Sequence, residues 1–350
     1  MLDVRDGERH GPGPSGRRGP GHEGWVQGTD GTDLEGSARG ALRVRMVWEA
    51  RRWWRYQAER FPLVAHGLLI AAFSISTVSY STLARGAGHP PALGAVLVAC
   101  GTAFLFFLQL RIADEWKDYA EDCLYRPYRP VPRGLVSLGE LRALGVGAAA
   151  LQLLLALWLS AALVPLLLLV WAYLAVMSKE FFVGGWLKAH PVAYMASHML
   201  ILPLVDLYGT ACDWRVAGVA APGALSWLLL VSLLNGFVVE IGRKIRAPED
   251  EERGVETYSA LWGGGRAVAA WLAALLLTAG CALVAAQAIR FVALAATLFA
   301  AALLAAAVAG ARFVRRPGAW WARVIERVSG AWTLVLYLGL GLFPLLAISK

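Results

Sequence analysis

The sequence predicts an all-α, multi-pass membrane protein with nine transmembrane helices. Of its 350 residues, 58% are hydrophobic and only 17% are charged, which is too apolar for a soluble domain of this length. Apolar runs of about 18 residues or more recur along the chain, and a run of that length can cross a bilayer as a helix. The net charge of +8 would suggest nucleic acid as the partner of a soluble protein. In a membrane protein such a charge is explained by the excess of Lys and Arg in cytoplasmic loops, which sets the orientation of the chain. We therefore expect no nucleic acid partner.

The N-terminal residues 1–45 differ in composition from the rest of the chain. They are rich in Gly, Pro, Asp and Arg and show no apolar periodicity. Such a segment cannot bury enough apolar surface to offset the entropy lost on ordering, so we predict a disordered tail. Residues 46–60 mix tryptophan with arginine, a pattern typical of an interfacial helix on an anionic leaflet. We therefore predict a transmembrane domain over residues 46–350.

Nine apolar segments follow residue 60. The third and fourth almost touch, so we predict a tight helical hairpin around Pro165. Gly and Ala are frequent in the third, seventh and eighth segments, which permits close approach between helices in lipid. The predicted segments are 61–84, 92–113, 142–160, 161–177, 191–209, 223–240, 267–287, 291–309 and 330–348.

The distribution of basic residues predicts the orientation of the protein. Of the 33 lysines and arginines, all but four lie in residues 1–60 or near the connections after the second, fourth, sixth and eighth segments. The four exceptions are Arg85, Arg215, Arg290 and Lys350. Cytoplasmic loops carry an excess of Lys and Arg, so the basic connections are predicted to face the cytoplasm. We place the protein in the cytoplasmic membrane, in contact with its lipids.

The connection after the second segment carries a dense cluster of charge. Asp114, Asp118 and Asp122 recur every four residues, so they share one face of a helix. Like charges this close repel one another unless a cation lies among them. Carboxylates at the end of a membrane helix, followed by the Arg- and Pro-rich residues 126–134, suit Mg²⁺ bound to a phosphate compound. A solvated acidic helix end is the alternative, but the regular triple favours the magnesium site.

A second charged cluster follows the sixth segment. Glu240 ends an apolar helix, and a carboxylate in that position needs a partner. Arg243 and Lys244 lie within one turn of it. Their side chains would also be explained by snorkelling towards the interface, without any function. The acidic run 249–252 is solvated in the simplest interpretation.

The first cluster resembles the aspartate-rich motif of the UbiA superfamily of intramembrane prenyltransferases, NxxxDxxxD followed by RPxxxG. Asp114 stands where the family usually has Asn, and the matching residues are Asp118, Asp122, Arg129, Pro130 and Gly134. In the second cluster the matching residues are Asp250, Gly254 and Thr257. Arg243 and Arg246 occupy positions where the family has carboxylates. Glu240 supplies a missing carboxylate if this loop contains a short insertion.

The resemblance implies a ring of helices around a central apolar cavity, capped by the two charged loops. It also implies that a prenyl diphosphate ionises there and that a lipophilic acceptor, aromatic or other, captures the allylic cation. The implied catalytic residues are Asp114, Asp118 and Asp122. The implied ligands of Mg²⁺ are Asp114, Asp118, Asp122, Glu240 and Asp250. The implied diphosphate-binding residues are Lys117, Arg129, Lys179, Arg243 and Lys244.

The irregular second loop keeps two other functions open. In the first, the cation cyclises in the cavity and the protein is a UbiA-type membrane terpene cyclase. In the second, the protein is a transporter or a non-catalytic isoprenoid-binding protein, and Asp206, His66 and Glu240 mark a polar pathway through the membrane. Product formation without an acceptor would indicate the cyclase, and solute flux without diphosphate binding would indicate the transporter.

Overall fold

The computed structural model describes residues 48–252 and 255–348. Over these ranges it contains helices and no β-strand, and 9 helical segments are long and apolar enough to cross a membrane. The predicted fold class and number of spans are therefore confirmed. The predicted disordered tail and Gly254 lie outside the described residues. All contacts discussed below lie within the compact unit Arg51–Lys350.

Fourteen labelled helices follow a helical stretch over residues 51–60. That stretch agrees with the predicted interfacial helix, whose place on a lipid leaflet stays a prediction. The labelled helices are α1 (Leu63–Ala84), α2 (Leu93–Lys117), α3 (Tyr119–Tyr125), α4 (Leu138–Leu159), α5 (Val164–Ser178), α6 (Gly184–Ala189), α7 (Pro191–Met199), α8 (Ile201–Trp214), α9 (Leu225–Arg243), α10 (Tyr258–Trp262), α11 (Gly264–Ala288), α12 (Val292–Arg315), α13 (Ala319–Leu340) and α14 (Leu342–Ile348).

The predicted hairpin between the third and fourth spans is formed by α4 and α5. Ser160 ends α4 in an extended conformation, and a short 3₁₀ turn over Ala161–Leu163 leads into α5. Pro165 lies in the first turn of α5, where its missing N–H costs no helical hydrogen bond. Across the hairpin, Trp171 Nε1 donates to Gln152 Oε1 at 2.9 Å. The turn therefore precedes Pro165 instead of surrounding it.

The fifth span is broken into α7 and α8 at Leu200. Pro203 accounts for the break, because it has no N–H to offer the carbonyl of Met199 and its ring would crowd that carbonyl. The neighbouring helix α9 approaches closely here. A Cβ on Gly236 would lie 2.9 Å from Leu202 Cδ1 and 3.1 Å from Met199 Cβ, so only glycine allows this contact. A broken helix in a membrane span needs such a packed surrounding.

The connections predicted to face away from the cytoplasm meet at one end of the bundle. Arg85, just after α1, pairs with Asp213 near the end of α8 at 2.9 Å, and Ser81 Oγ donates to the same carboxylate at 2.8 Å. Arg215 Nε donates to the carbonyl oxygen of Ala162 at 2.6 Å. These contacts bring the connections after the first, third and fifth spans together, as predicted. Which side of the membrane this end faces stays a prediction.

The first and last spans pack directly on each other. A Cβ on Gly341 would lie 2.2 Å from the carbonyl oxygen of Ser76 in α1. The backbone cannot yield easily there, because Ser76 lies in the middle of a helix. Glycine at position 341 therefore allows the last span to pack this closely on the first.

We predict that Gly341→Ala lowers the free energy of unfolding by roughly 1–3 kcal/mol, the usual cost of overpacking. Gly330→Ala is the matched control, because nothing lies within 4 Å of a Cβ there and alanine favours the helix. Thermal unfolding of both variants in detergent measures the difference. Equal transition temperatures would contradict the close packing of α1 against the last span.

Candidate functional site

A cavity of about 1000 Å³ opens at the end of the bundle opposite Arg85 and Arg215. Its rim is charged and is built by both loops that the sequence singled out. Its inner wall is apolar and comes from α2, α5, α7 and α8. The acidic lining residues are Asp114, Asp118, Glu121, Glu180, Glu240, Glu249, Asp250, Glu251, Glu252, Glu256 and Glu326. The inner apolar residues include Leu110, Met177, Met195, Met199, Ile201 and Leu202.

The first acidic cluster lies at the junction between α2 and α3. Helical hydrogen bonding continues across this junction, since Asp118 N donates to the Asp114 carbonyl at 2.9 Å and Asp122 N to the Asp118 carbonyl at 2.8 Å. Asp114 and Asp118 line the cavity. Asp118 makes no ion pair with a described residue. Burial raises the pKa of the Asp118 carboxyl, and the neighbouring Asp114, Asp122 and Glu121 add to the rise.

Asp122 lies outside the cavity lining, although the sequence assigned it the same role as Asp118. Its side chain is buried, with Oδ2 2.7 Å from Arg129 Nη1 and Oδ1 2.9 Å from Arg126 Nη2. Both arginines line the cavity. The successive carboxylates drift around the helix, because four residues exceed one turn of 3.6 residues. The Asp122 side chain therefore points away from the cavity and holds Arg126 and Arg129 in the cavity wall.

The second cluster repeats this arrangement. Glu240 lies at the cavity wall, 5% exposed, with Oε2 2.6 Å from Arg243 Nε and Oε1 3.0 Å from Lys244 Nζ. Arg243 and Lys244 also line the cavity. Both carboxylate oxygens of Glu240 are therefore occupied by cations. Asp250 lines the cavity and makes no ion pair with any residue in the described ranges.

Backbone and hydroxyl hydrogen bonds close the second loop on itself. Tyr258 N donates to the Lys244 carbonyl at 3.0 Å, and Arg246 N donates to Ser259 Oγ at 2.7 Å. Thr257 accepts from Ala260 N as the N-cap of α10 and donates to Glu251 at 2.7 Å. These bonds hold Asp250 over the cavity. Thr257, which matches the resembled motif, has a capping function here.

Lys179 is exposed and lies outside the cavity lining. The next three residues, Glu180, Phe181 and Phe182, have positive φ values of 49°, 54° and 60°, a conformation that side chains other than glycine's rarely adopt. Lys179 lies just before this turn, at the C-cap of α5. Lys188 reaches the cavity instead and lies 3.1 Å from Glu121, which raises the pKa of the lysine. No motif marked Lys188, because only the turn at 180–182 brings it there.

The wall contributed by α2 and α7 is polar at one point. Lys117 Nζ donates to Tyr194 OH at 2.6 Å, and the Tyr194 ring stacks on His198 with centroids 4.0 Å apart. His198 Nδ1 lies 2.9 Å from the Tyr194 carbonyl. That nitrogen must carry the proton, since a carbonyl only accepts. All three side chains line the cavity.

The oxygen donors of the cavity fit Mg²⁺ better than a softer metal. In the described ranges no three carboxylate, His or Cys side chains converge to hold an ion by themselves. Asp114, Asp118 and Asp250 nevertheless bring carboxylates from both loops to one cavity. Magnesium prefers oxygen, keeps several waters and commonly binds through one or two carboxylates together with substrate phosphates. The donor set therefore fits an ion shared with a phosphate ligand.

The fold and the cavity define a multi-pass helical membrane protein whose charged site, built by two loops, opens on an apolar interior. A family model for the UbiA prenyltransferase family matches residues 72–329, well over half of the chain. The chain belongs to the UbiA prenyltransferase family and is thus a membrane prenyltransferase. A comparison with curated proteins found no match.

Solved structures share the fold at low sequence identity. The apo structure of a UbiA homolog from Aeropyrum pernix K1 has a TM-score of 0.60 and 19% identity, over 77% of this chain and 96% of that one. A structure of digeranylgeranylglyceryl phosphate synthase has a TM-score of 0.54 and 15% identity, over 81% of this chain and 99% of that one. A UbiA homolog from Archaeoglobus fulgidus bound to DMAPP and Mg²⁺ is less similar, with a TM-score of 0.48 and 12% identity over 79% and 97% of the two chains.

We predict that Asp122→Asn destabilises the protein by about 2–3 kcal/mol, because two largely buried arginines lose their counter-charge. Glu121→Gln is the control, since its ion pair with Lys188 is exposed and should be worth less than about 1 kcal/mol. Thermal unfolding in detergent compares the two. Similar losses would show that Asp122 does not anchor the arginines.

Proposed function

We propose that the protein is a magnesium-dependent prenyltransferase that moves an isoprenyl group from a prenyl diphosphate to an aromatic or other lipophilic acceptor. One observation carries the proposal. Carboxylates and cations from both loops line one cavity, and apolar side chains lie directly inside it. A prenyl diphosphate has the matching two parts, an anionic head that binds metal and cations and an apolar tail.

The cations at the rim suit the diphosphate head. Arg129, Arg243 and Lys244 are each held by a buried carboxylate, so their positions are fixed before the substrate binds. Preorganised cations stabilise the charge that grows on a leaving diphosphate without further reorganisation. Lys117 and Lys188 add further positive charge to the cavity lining. We leave Lys179 out of this set because it is exposed outside the cavity.

Asp114, Asp118 and Asp250 are the residues that would hold Mg²⁺. When bound, the ion supplies Lewis-acid neutralisation of the diphosphate. Asp122 and Glu240, implied as ligands by the resemblance, each already face two cations. We therefore assign them the task of positioning those cations.

The reaction follows from this placement of charge. The C–O bond to the diphosphate breaks and its electron pair leaves with the diphosphate, which gives an allylic cation. An electron-rich atom of the acceptor then forms a bond to the allylic carbon and the acceptor loses a proton. Met177, Met195 and Met199 suit the apolar part of the substrates, because thioether side chains adapt to irregular shapes. We also infer that the cavity faces the cytoplasm.

Incubation of the purified protein with a panel of prenyl diphosphates and Mg²⁺, with and without membrane extract, tests the function. A prenylated acceptor identified by mass, formed only with extract, is the expected product. A hydrocarbon or terpene alcohol formed without extract would indicate a cyclase instead. No diphosphate release under any condition would contradict both enzymatic functions.

We predict that Asp118→Asn lowers magnesium-dependent diphosphate release by about 100-fold or more, as expected when a charge-stabilising group is lost at a reacting centre. Glu59→Gln is the control, because Glu59 forms an exposed ion pair with Arg133 and does not line the cavity. Release of inorganic diphosphate is measured at saturating substrate. Unchanged release by Asp118→Asn would remove this residue from the mechanism.

We further predict that a chelator stops diphosphate release and that added Mg²⁺ restores it. The thermal transition should change little, because helix packing and not a closed metal site holds the fold of the described residues together. Activity and unfolding are measured on the same chelated sample. Full activity after chelation would rule out the metal-dependent mechanism.

A further inference from the structure

We infer that Glu249 and Glu251 are positioning residues that anchor the second loop and hold Asp250 over the cavity for the metal ion. The inference rests on the proposed function, in which Asp250 binds Mg²⁺, and it adds the residues on which that binding depends. All three belong to the acidic run 249–252, for which solvation is the simplest interpretation. The structure instead gives Glu249 and Glu251 hydrogen-bond partners on two different helices.

Glu249 joins the second loop to the start of the last long helix. Its Oε1 accepts a hydrogen bond from Ala319 N at 2.9 Å. Ala319 is the first residue of α13, so its N–H has no carbonyl partner within the helix. The N-cap residue Gly318 has no side chain to accept a hydrogen bond, and the first turn contains no acidic residue. The Glu249 carboxylate therefore acts as the missing cap, and the positive end of the helix dipole favours it there.

Glu251 joins the same loop to the start of α10. Thr257 Oγ1 donates to the Glu251 carboxylate at 2.7 Å, and Ser259 Oγ donates to it at 3.0 Å. Thr257 Oγ1 in turn accepts from Ala260 N at 3.1 Å. Ser259 Oγ accepts from Arg246 N at 2.7 Å. Glu251 is therefore bound by two hydroxyl groups that backbone N–H groups already hold in place.

Asp250 lies between these two anchors, and its backbone is held as well. It ends the 3₁₀ turn Pro248–Asp250, and its N–H donates to the Ala247 carbonyl at 2.9 Å. Ala247 is fully buried, so the turn starts from a packed part of the protein. The Asp250 carboxylate lines the cavity and has no hydrogen bond or ion pair with a described residue. The carboxylate that is available to a ligand is thus flanked on both sides by anchored ones.

Anchoring on both sides favours metal binding. A loop that becomes ordered only when an ion binds loses conformational entropy at that step, and the loss weakens the binding. With both anchors in place, Asp250 is already over the cavity before the ion arrives. Outer groups that orient a metal ligand commonly change the metal affinity by about 10–100-fold. We expect a smaller effect from each single variant, because the other anchor remains.

Binding of Mn²⁺, which can replace Mg²⁺ and is detected by electron paramagnetic resonance, tests the inference. The purified protein is titrated with Mn²⁺ in the presence of inorganic diphosphate, against a blank without protein. Glu249→Ala and Glu251→Ala should each weaken binding by about fivefold or more. Glu249→Gln is the matched control, because its amide oxygen still accepts from Ala319 N, and the loss of an exposed, screened charge should change binding by less than about twofold. Equal weakening by Glu249→Gln and Glu249→Ala would overturn the inference.

A double variant tests whether Glu249 acts through Asp250. Asp250→Ala should weaken Mn²⁺ binding by about tenfold or more, and Glu249→Ala added to it should cause no further loss. Additive losses would overturn the inference. Unchanged binding by Asp250→Ala would contradict both the proposed role of Asp250 and the inference. Weaker binding by Asp250→Ala, with unchanged binding by the Glu249→Ala and Glu251→Ala variants, would overturn the inference alone.

Turnover gives a second measurement, which separates positioning from a loss of folded protein. In Glu249→Ala and Glu251→Ala, the Mg²⁺ concentration for half-maximal diphosphate release should rise by about fivefold, and kcat at saturating Mg²⁺ should stay within about twofold. A lower kcat with an unchanged Mg²⁺ requirement would indicate that less protein is folded and would overturn the inference.

Discussion

The site depends on two buried carboxylates that each hold a pair of cations at the end of a membrane bundle. Asp122 holds Arg126 and Arg129, and Glu240 holds Arg243 and Lys244. A charge at the edge of a low-dielectric bundle is costly unless it is paired and hydrogen-bonded. Each carboxylate offsets that cost by pairing with two cations, and the cations still line the cavity. The proposed diphosphate site rests on this arrangement.

The same constraint separates acidic residues that look equivalent in the sequence. Asp118 and Asp122 are four residues apart, yet Asp118 faces the cavity without an ion pair to a described residue and Asp122 lies behind the wall between two arginines. The first is available to a metal ion, and the second already has its counter-charges. In the second loop both Glu240 and Asp250 line the cavity, but only Glu240 is paired with cations of the described residues. Each loop therefore holds one carboxylate paired with two cations and at least one cavity-lining carboxylate without an ion pair to a described residue.

The broken fifth span connects this charged rim to the interior. Pro203 interrupts the helix, and the packing of Gly236 against Leu202 and Met199 accommodates the break. Met199, Ile201 and Leu202, around the break, are part of the apolar wall, and the buried Asp206 lies one turn further along α8.

The sequence by itself determined the all-α class, the nine spans, the α4–α5 hairpin and the two charged loops, because apolar run length and charge spacing are local properties. Only the tertiary structure decided which charges face the cavity. Lys188 lines the cavity and Lys179 does not, and the three residues that turn the chain after Lys179 have positive φ values. Asp206 is paired inside the bundle through contacts with α1 and α13, more than 100 residues away in each case. Ion pairing and burial depend on such distant contacts, which no local pattern of residues records.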